Sequence, residues 1–237
     1  IFFDTVAGYT ADSVSSMSTW GYATSIAMLI VALAAPFLGV FGDIRGMRKK
    51  LFSFFMLLGV AACAGMAFTP VMDFTSGPVA AGKVASLILV LYIVSVIGFD
   101  ASAIYYDAFL TDVTTEDRMD KVSTMGYGLG YIGGLVGVPM LTCLAFVFGL
   151  TAVWWLAFSL PLLKNCEQTS GKPYEKGDVA RSIKGVGTTI KEIIANKPML
   201  IYILSYFFYI DGVHTVISMA TTYGTNLGLD STGMMLA

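Results

Sequence analysis

Gly39-Val40-Phe41-Gly42-Asp43-Ile44-Arg45-Gly46-Met47-Arg48-Lys49-Lys50 is a short, glycine-bearing, basic loop between two long uncharged stretches. Before it, Trp20 to Phe41 is 22 residues without a charge; after it, Leu51 to Met72 is another 22. A helix needs about 20 mainly apolar residues to cross the hydrocarbon core of a bilayer. Backbone groups in lipid must bond within their own segment, so such stretches are expected to be helices. The pattern recurs along the chain. Val84 to Phe99 is uncharged, and that span continues through Asp100 to about Leu110. Val122 to Leu163 is 42 uncharged residues, and Pro198 to about Thr225 holds only Asp211 and His214.

Composition agrees. Of 237 residues, 56% are hydrophobic and 13% charged, whereas soluble domains run nearer 25% charged. The net charge of −2 gives no reason to expect a nucleic-acid partner. Cys63, Cys143 and Cys166 lack metal or redox spacing, and two of them sit inside apolar runs, as packing residues do. A single histidine argues against a histidine-built zinc site. No metal, cofactor or catalytic centre is therefore expected; the expected partners are the lipid bilayer and a small solute. The chain opens without an initiator Met or a signal-like segment and is expected to be a piece of a longer protein.

Basic residues set the sidedness. Arg45, Arg48, Lys49 and Lys50 lie in the first loop, and Arg118 and Lys121 follow the span ending near Leu110. Lys164, Lys172, Lys176, Arg181, Lys184, Lys191 and Lys197 lie before the last span. These are 13 of the 14 Lys and Arg, and all three loops are expected to face the cytoplasm. An even number of crossings must then separate Lys121 from Lys164, so the uncharged run holds two helices. Two helices leave almost no room for a turn, and a gap is expected near 143–153.

The organisation expected is all-α. Residues 1–163 form an N-terminal transmembrane bundle, 164–197 a cytoplasmic linker, and 198–237 the start of a second bundle. Residues 164–178, rich in Lys, Glu, Gly and Ser, read as a flexible joint. In 178–197 the apolar residues Val179, Ile183, Val186, Ile190, Ile193 and Ile194 recur at helical spacing. That helix lies either on the membrane surface or, solvated, against the protein.

Within the first loop, Gly39 and Gly42 allow close helix contact. Asp43 is placed to accept from the amides that start the next helix. Gly46 permits a turn with positive φ, and Arg48, Lys49 and Lys50 are expected to anchor the loop at the inner surface. The pattern Gly39-x-x-x-Asp43-x-x-Gly46-x-Arg48-Lys49 resembles the signature loop between helices 2 and 3 of the major facilitator superfamily. Ile44 and Met47 stand where that signature often has basic residues. The resemblance implies a polytopic helix bundle seen from the end of helix 1 to the start of helix 8. The loop becomes a gating joint.

A second resemblance is narrower. Tyr106-Asp107-Ala108-Phe109-Leu110-Thr111-Asp112, the glycine-rich Gly126 to Gly134 and Phe208-Tyr209-Ile210-Asp211-Gly212-Val213-His214 occur together. They look like the branch related to autophagy vacuolar amino-acid effluxers, which has bacterial members. This implies amino-acid efflux, and a bacterial cytoplasmic membrane rather than a vacuolar one.

Ionisable groups inside a membrane are functional candidates because their insertion costs about 2.5–3.5 kcal/mol at the helix centre. Asp100 and Asp107 are two turns apart on one face of the third full span. Asp107 could instead cap that helix or bind Arg118, and Tyr106 could be an interface anchor. Asp211 lies about 20 Å of rise from Pro198, with His214 one turn on, a pair able to carry a proton or to hold helices together. The superfamily resemblance implies that helices 4 and 7, which carry Asp100 and Asp211, line the central cavity. Gly126, Gly130 and Gly134, with Gly133 and Gly137, form four-residue ridges expected to pack against another helix.

The function expected is secondary transport of a small solute by a monomer, with a coupled proton. An intramembrane aspartyl protease would need a second carboxylate facing Asp107, and no Gly-x-Gly-Asp partner is present. A receptor or scaffold on a transporter fold is the other alternative.

Overall fold

The computed structural model describes residues 3, 6, 16–137, 144–171, 173 and 178–226; the side chains of some residues within them, His214 included, lie outside the description. The helices are α1 (Ser16–Gly42), α2 (Met47–Met66), α3 (Pro78–Ala108), a single turn α4 (Leu110–Val113), α5 (Met119–Gly137), α6 (Leu144–Asn165), α7 (Asp178–Ala195) and α8 (Lys197–Asn226). Numbered by the resemblance, α1, α2, α3, α5, α6 and α8 are the second to seventh helices of the superfamily fold.

Among the described residues, four stretches are long and apolar enough to cross a membrane: Ser18–Gly42, Met47–Val71, Pro78–Val113 and Val147–Asn165. Ile183–Ala195 and Lys197–Val213, bent at 99°, supply a fifth if counted together. The uncharged 42-residue run is divided between α5 and α6. Of the region where a gap is expected, 144–153 is continuous helix, and residue 143 lies outside the described residues.

The chain forms two compact units, Ile1–Lys176 and Gly177–Ala237. In the first, α2 and α3 are the central pair, with α1 against α3 and α6 against α2. Three apolar clusters run along this bundle. Phe3, Val6, Val84 and Ile88 meet near the start of α3; Cys63, Met66 and Ala152 join α2 to α6; Phe52, Met56, Tyr105 and Phe109 fill the basic end. The outer faces stay apolar. On α1, Tyr22, Ile26, Leu29, Leu33 and Phe37 recur at three- and four-residue spacing, all exposed. That is a surface for hydrocarbon rather than water.

Among the described glycines, those at the closest helix contacts carry no ridge motif. A Cβ on Gly98 would stand 2.6 Å from the Gly59 backbone, and one on Gly59 would enter the Trp155 ring. By contrast, a Cβ on Gly126, Gly128 or Gly130 meets nothing within 4 Å. The contact expected at Gly126 and Gly130 is thus not made among the described residues, and Met125, Tyr127 and Leu129 beside them are exposed. Side-chain space around Gly133, Gly134 and Gly137 lies outside the description. Because backbone rather than a flexible side chain opposes Gly98, Gly98→Ala is expected to destabilise the first unit by about 3 kcal/mol. Gly82→Ala on the same helix, with nothing within 4 Å, should be neutral. Thermal unfolding of the two variants in detergent compares them.

In the second unit, α7 and α8 meet at Asn196, whose backbone N–H caps α7 by donating to Glu192 (3.0 Å). Asn196 also accepts at the start of α8, from the Leu200 N–H on its carbonyl (2.9 Å) and the Met199 N–H on its side chain (3.3 Å).

Candidate functional site

The loop after α1 turns at Gly46, with φ 80°. Asp43 is exposed, and its side chain does not cap α2. The group that does is Gln168, some 120 residues later. Its Oε1 accepts from the N–H of Gly46 (2.8 Å) and of Arg48 (3.3 Å), and its Nε2 donates to the Gly42 carbonyl (3.1 Å). One amide side chain thus serves both helix ends, where backbone groups lack intrahelical partners. This corrects the role expected of Asp43: a short carboxylate before the turn is replaced by a longer, two-sided group from another segment.

Arg48 is the second departure. It does not lie at the surface but is only 5% exposed. Its Nη1 donates to the Ala108 carbonyl (2.9 Å), the Ser170 hydroxyl (3.2 Å) and the Asp112 carboxylate. Its guanidinium lies 5.8 Å from the centre of the Phe109 ring, within cation–π range. Its Nε is buried without a hydrogen-bond partner among the described residues. The Asp112 side chain is 0% exposed. Its other oxygen accepts from the Thr169 N–H (3.1 Å) and hydroxyl (3.0 Å), and from the Ser170 N–H (2.9 Å) and hydroxyl (2.7 Å). Lys49 adds a bond from Nζ to the Cys166 carbonyl (3.1 Å). Gly171, at φ 113°, brings the strand of chain so close that a Cβ would stand 2.8 Å from the Asp43 carbonyl.

These bonds fasten three segments into one cluster: the loop and start of α2, the end of α3 with α4, and residues 166–171 after α6. Residues 166–171 of the expected joint are therefore tied to the first unit by hydrogen bonds to Gly42, Arg48, Lys49 and Asp112. Gln168→Ala should cost about 1–2 kcal/mol, the range for a lost helix cap. Gln168→Glu should not restore stability, since it sets a carboxylate oxygen against the Gly42 carbonyl. Melting curves of both variants check this.

The other expected residues sit away from the cluster. Gly42 packs on Tyr105, where a Cβ would lie 3.1 Å from the ring, while Gly39 faces open space. Tyr105 is buried and its hydroxyl donates to the Leu38 carbonyl (3.0 Å); Tyr106, one position on, is exposed. Asp100 is half-buried and Asp107 exposed on α3. Arg118 pairs with Asp117 (3.8 Å), both exposed, and not with Asp107. Asp211 is exposed on α8; His214 is in the same helix, its side chain outside the described residues.

The family model described as vacuole effluxer Atg22 like matches residues 5–118 and 111–236. The chain belongs to the Atg22-like family. This Atg22-like chain is 35% identical, over 256 aligned positions and all of its length, to an uncharacterized MFS-type transporter, YxiO, of Bacillus subtilis. It is 25% identical over 49% of its length to autophagy-related protein 22-1 of Aspergillus niger. The protein of the same name in Emericella nidulans is 27% identical over 46%. The chain spans 57% of the Bacillus protein and 22% and 23% of the fungal ones. No solved structure matches it. Family membership and its apolar helices make it a multi-pass membrane protein of the major facilitator type.

Sequence reasoning missed Asp112, Gln168, Thr169 and Ser170 as members of the Atg22-like chain's cluster. Asp112 did carry a signal, since it is the last residue of the Asp107-Ala-Phe-Leu-x-Asp112 motif. The residues at 168–170 carried none.

Proposed function

We propose that the complete protein is a secondary transporter that exports a small solute by alternating access. Amino acids are the substrate class its family resemblance implies. The observation that carries this reading is the family match along almost the whole chain. The relative that aligns with the whole chain bears a transporter name, and nothing favours the proteolytic alternative. The protein's setting would be the cytoplasmic membrane of a bacterium, since the relative that aligns with the entire chain is bacterial.

In this reading the two groups of residues divide the work. The Arg48–Asp112–Gln168 cluster keeps the cytoplasmic end of the first bundle rigid while the bundles rock. Asp100 and Asp211 serve the solute path, and Asp211 with His214 carries a coupled proton. The exposed carboxylate of Asp211 supports this, because such a group is expensive in lipid unless a watery cavity receives it. Alternating access around a site near the midplane is the general mechanism for such folds.

Binding tests the substrate class. A ligand that binds the folded state raises stability by RT ln(1 + [L]/Kd), about 2.7 kcal/mol at a hundred times Kd. The full-length protein should melt higher with at least one of the proteinogenic amino acids, saturably. No saturable rise with any of them would reject amino acids as its substrates.

A further inference from the structure

We infer that α7 is an interfacial helix, seated in the inner leaflet and held there by anionic lipid headgroups. The first observation is the elbow. Ile183–Ala195 and Lys197–Val213 meet at 99° with a single residue, Asn196, between them. A 30-residue helix such as α8 is about 45 Å long at 1.5 Å per residue, enough to cross a bilayer. If α8 stands along the membrane normal, α7 lies close to the membrane plane. The elbow is made by hydrogen bonds of Asn196 on both sides, so the angle is built by the backbone.

The second observation is the face α7 presents. At 100° per residue, Ile183, Val186, Ile190, Ile193 and Ile194 fall within about 100° of one another. Ile183, Ile190 and Ile194 are 39%, 50% and 59% exposed. The helix carries too many charges to cross a membrane itself: Asp178, Arg181, Lys184, Lys191 and Glu192 in 18 residues. A strongly amphipathic helix of low overall hydrophobicity lies in the interface.

Third, the charges are placed for headgroups. Lys184 and Lys191 are seven residues apart, so they share one edge of the polar face, about 110–130° from the centre of the apolar face, and both are exposed. Glu192 points about 150° away from the centre of that face. Lysines at such an edge lay their stems along the acyl boundary and lift their ammonium groups to the phosphates. Each basic residue near an anionic surface is worth about 1 kcal/mol. The cytoplasmic sidedness read from Lys and Arg puts this edge on the leaflet where anionic lipid attracts it. None of this depends on what the protein transports.

The test uses the full-length protein with every native cysteine, Cys63, Cys143 and Cys166 among them, replaced by alanine. Single cysteines are then introduced at exposed sites as Ile190→Cys, Ile194→Cys and Thr188→Cys, and spin-labelled. The protein is reconstituted in vesicles of phosphatidylethanolamine with phosphatidylglycerol, and in phosphatidylcholine alone. Labels at 190 and 194 should collide several-fold more with oxygen than with a water-soluble nickel complex; the label at 188, about 160° around the helix from 190, should do the reverse. Three results overturn the inference: all labels reached by nickel (a solvated linker), 190 and 194 reached by neither (packed on protein), or all three reached by oxygen alone (a re-entrant segment). Lys184→Gln with Lys191→Gln should raise nickel access at 190 in phosphatidylglycerol vesicles and leave it unchanged in phosphatidylcholine. An equal effect in both lipids would overturn the headgroup role.

Discussion

Asp112→Ala is expected to lower the stability of the first unit by about 3–5 kcal/mol, the range for breaking a buried ion pair by removing one partner. The size follows from what remains. Arg48 stays buried with only the Ala108 carbonyl and the Ser170 hydroxyl on Nη1, and its Nε already lacks a partner. Four donors from Thr169 and Ser170 lose their acceptor together. Residues 166–171 then keep the Gln168 bonds and the Lys49 bond to the Cys166 carbonyl. In a unit of this size the loss corresponds to a fall in melting temperature on the order of 10 °C. Replacing both partners by apolar residues, Arg48→Met with Asp112→Leu, should recover part of it, because no charge is left stranded. A single-variant loss below about 1 kcal/mol would mean the pair behaves as a surface ion pair, contrary to its burial.

Asp211→Asn is expected to reduce proton-driven flux of the full-length protein at least tenfold, which is about 1.4 kcal/mol. Stability should change little, because Asp211 is exposed in its unit. Asp211→Glu, which keeps a titratable carboxylate, should retain part of the activity. The contrast with Asp112 is the useful part: one carboxylate is read by melting, the other by flux. If neutral replacement of both Asp211 and His214 left pH-driven flux unchanged, the proton role would be dropped.

The fold was legible where physics is local. Uncharged runs longer than 20 residues announce spans, and Gly46 announces a turn that only glycine takes easily. The division of 122–163 into two helices came from counting basic loops, which no single segment shows. The cluster was legible in part. Arg48 and Asp43 stand out in the loop, yet the partner of Arg48 lies 64 positions on and the cap of α2 comes from Gln168. Contacts so far apart in sequence leave no periodic trace. Neighbours also separate on a helix: Tyr105 is buried and Tyr106 exposed, one step of 100° apart. Glycine ridges gave the weakest guide. Four-residue spacing marks a smooth surface but not its partner; among the described glycines, the close approach is made at Gly59 and Gly98.

Solute flux through the full-length protein tests the central claim most directly. Proteoliposomes are loaded with isotopically labelled amino acids, a pH gradient is imposed, and release is followed against protein-free vesicles. The account predicts release of one or more amino acids that is faster than in the controls and slows when the gradient is collapsed. Release no faster than from protein-free vesicles, for every amino acid loaded and at either sign of the gradient, would contradict it.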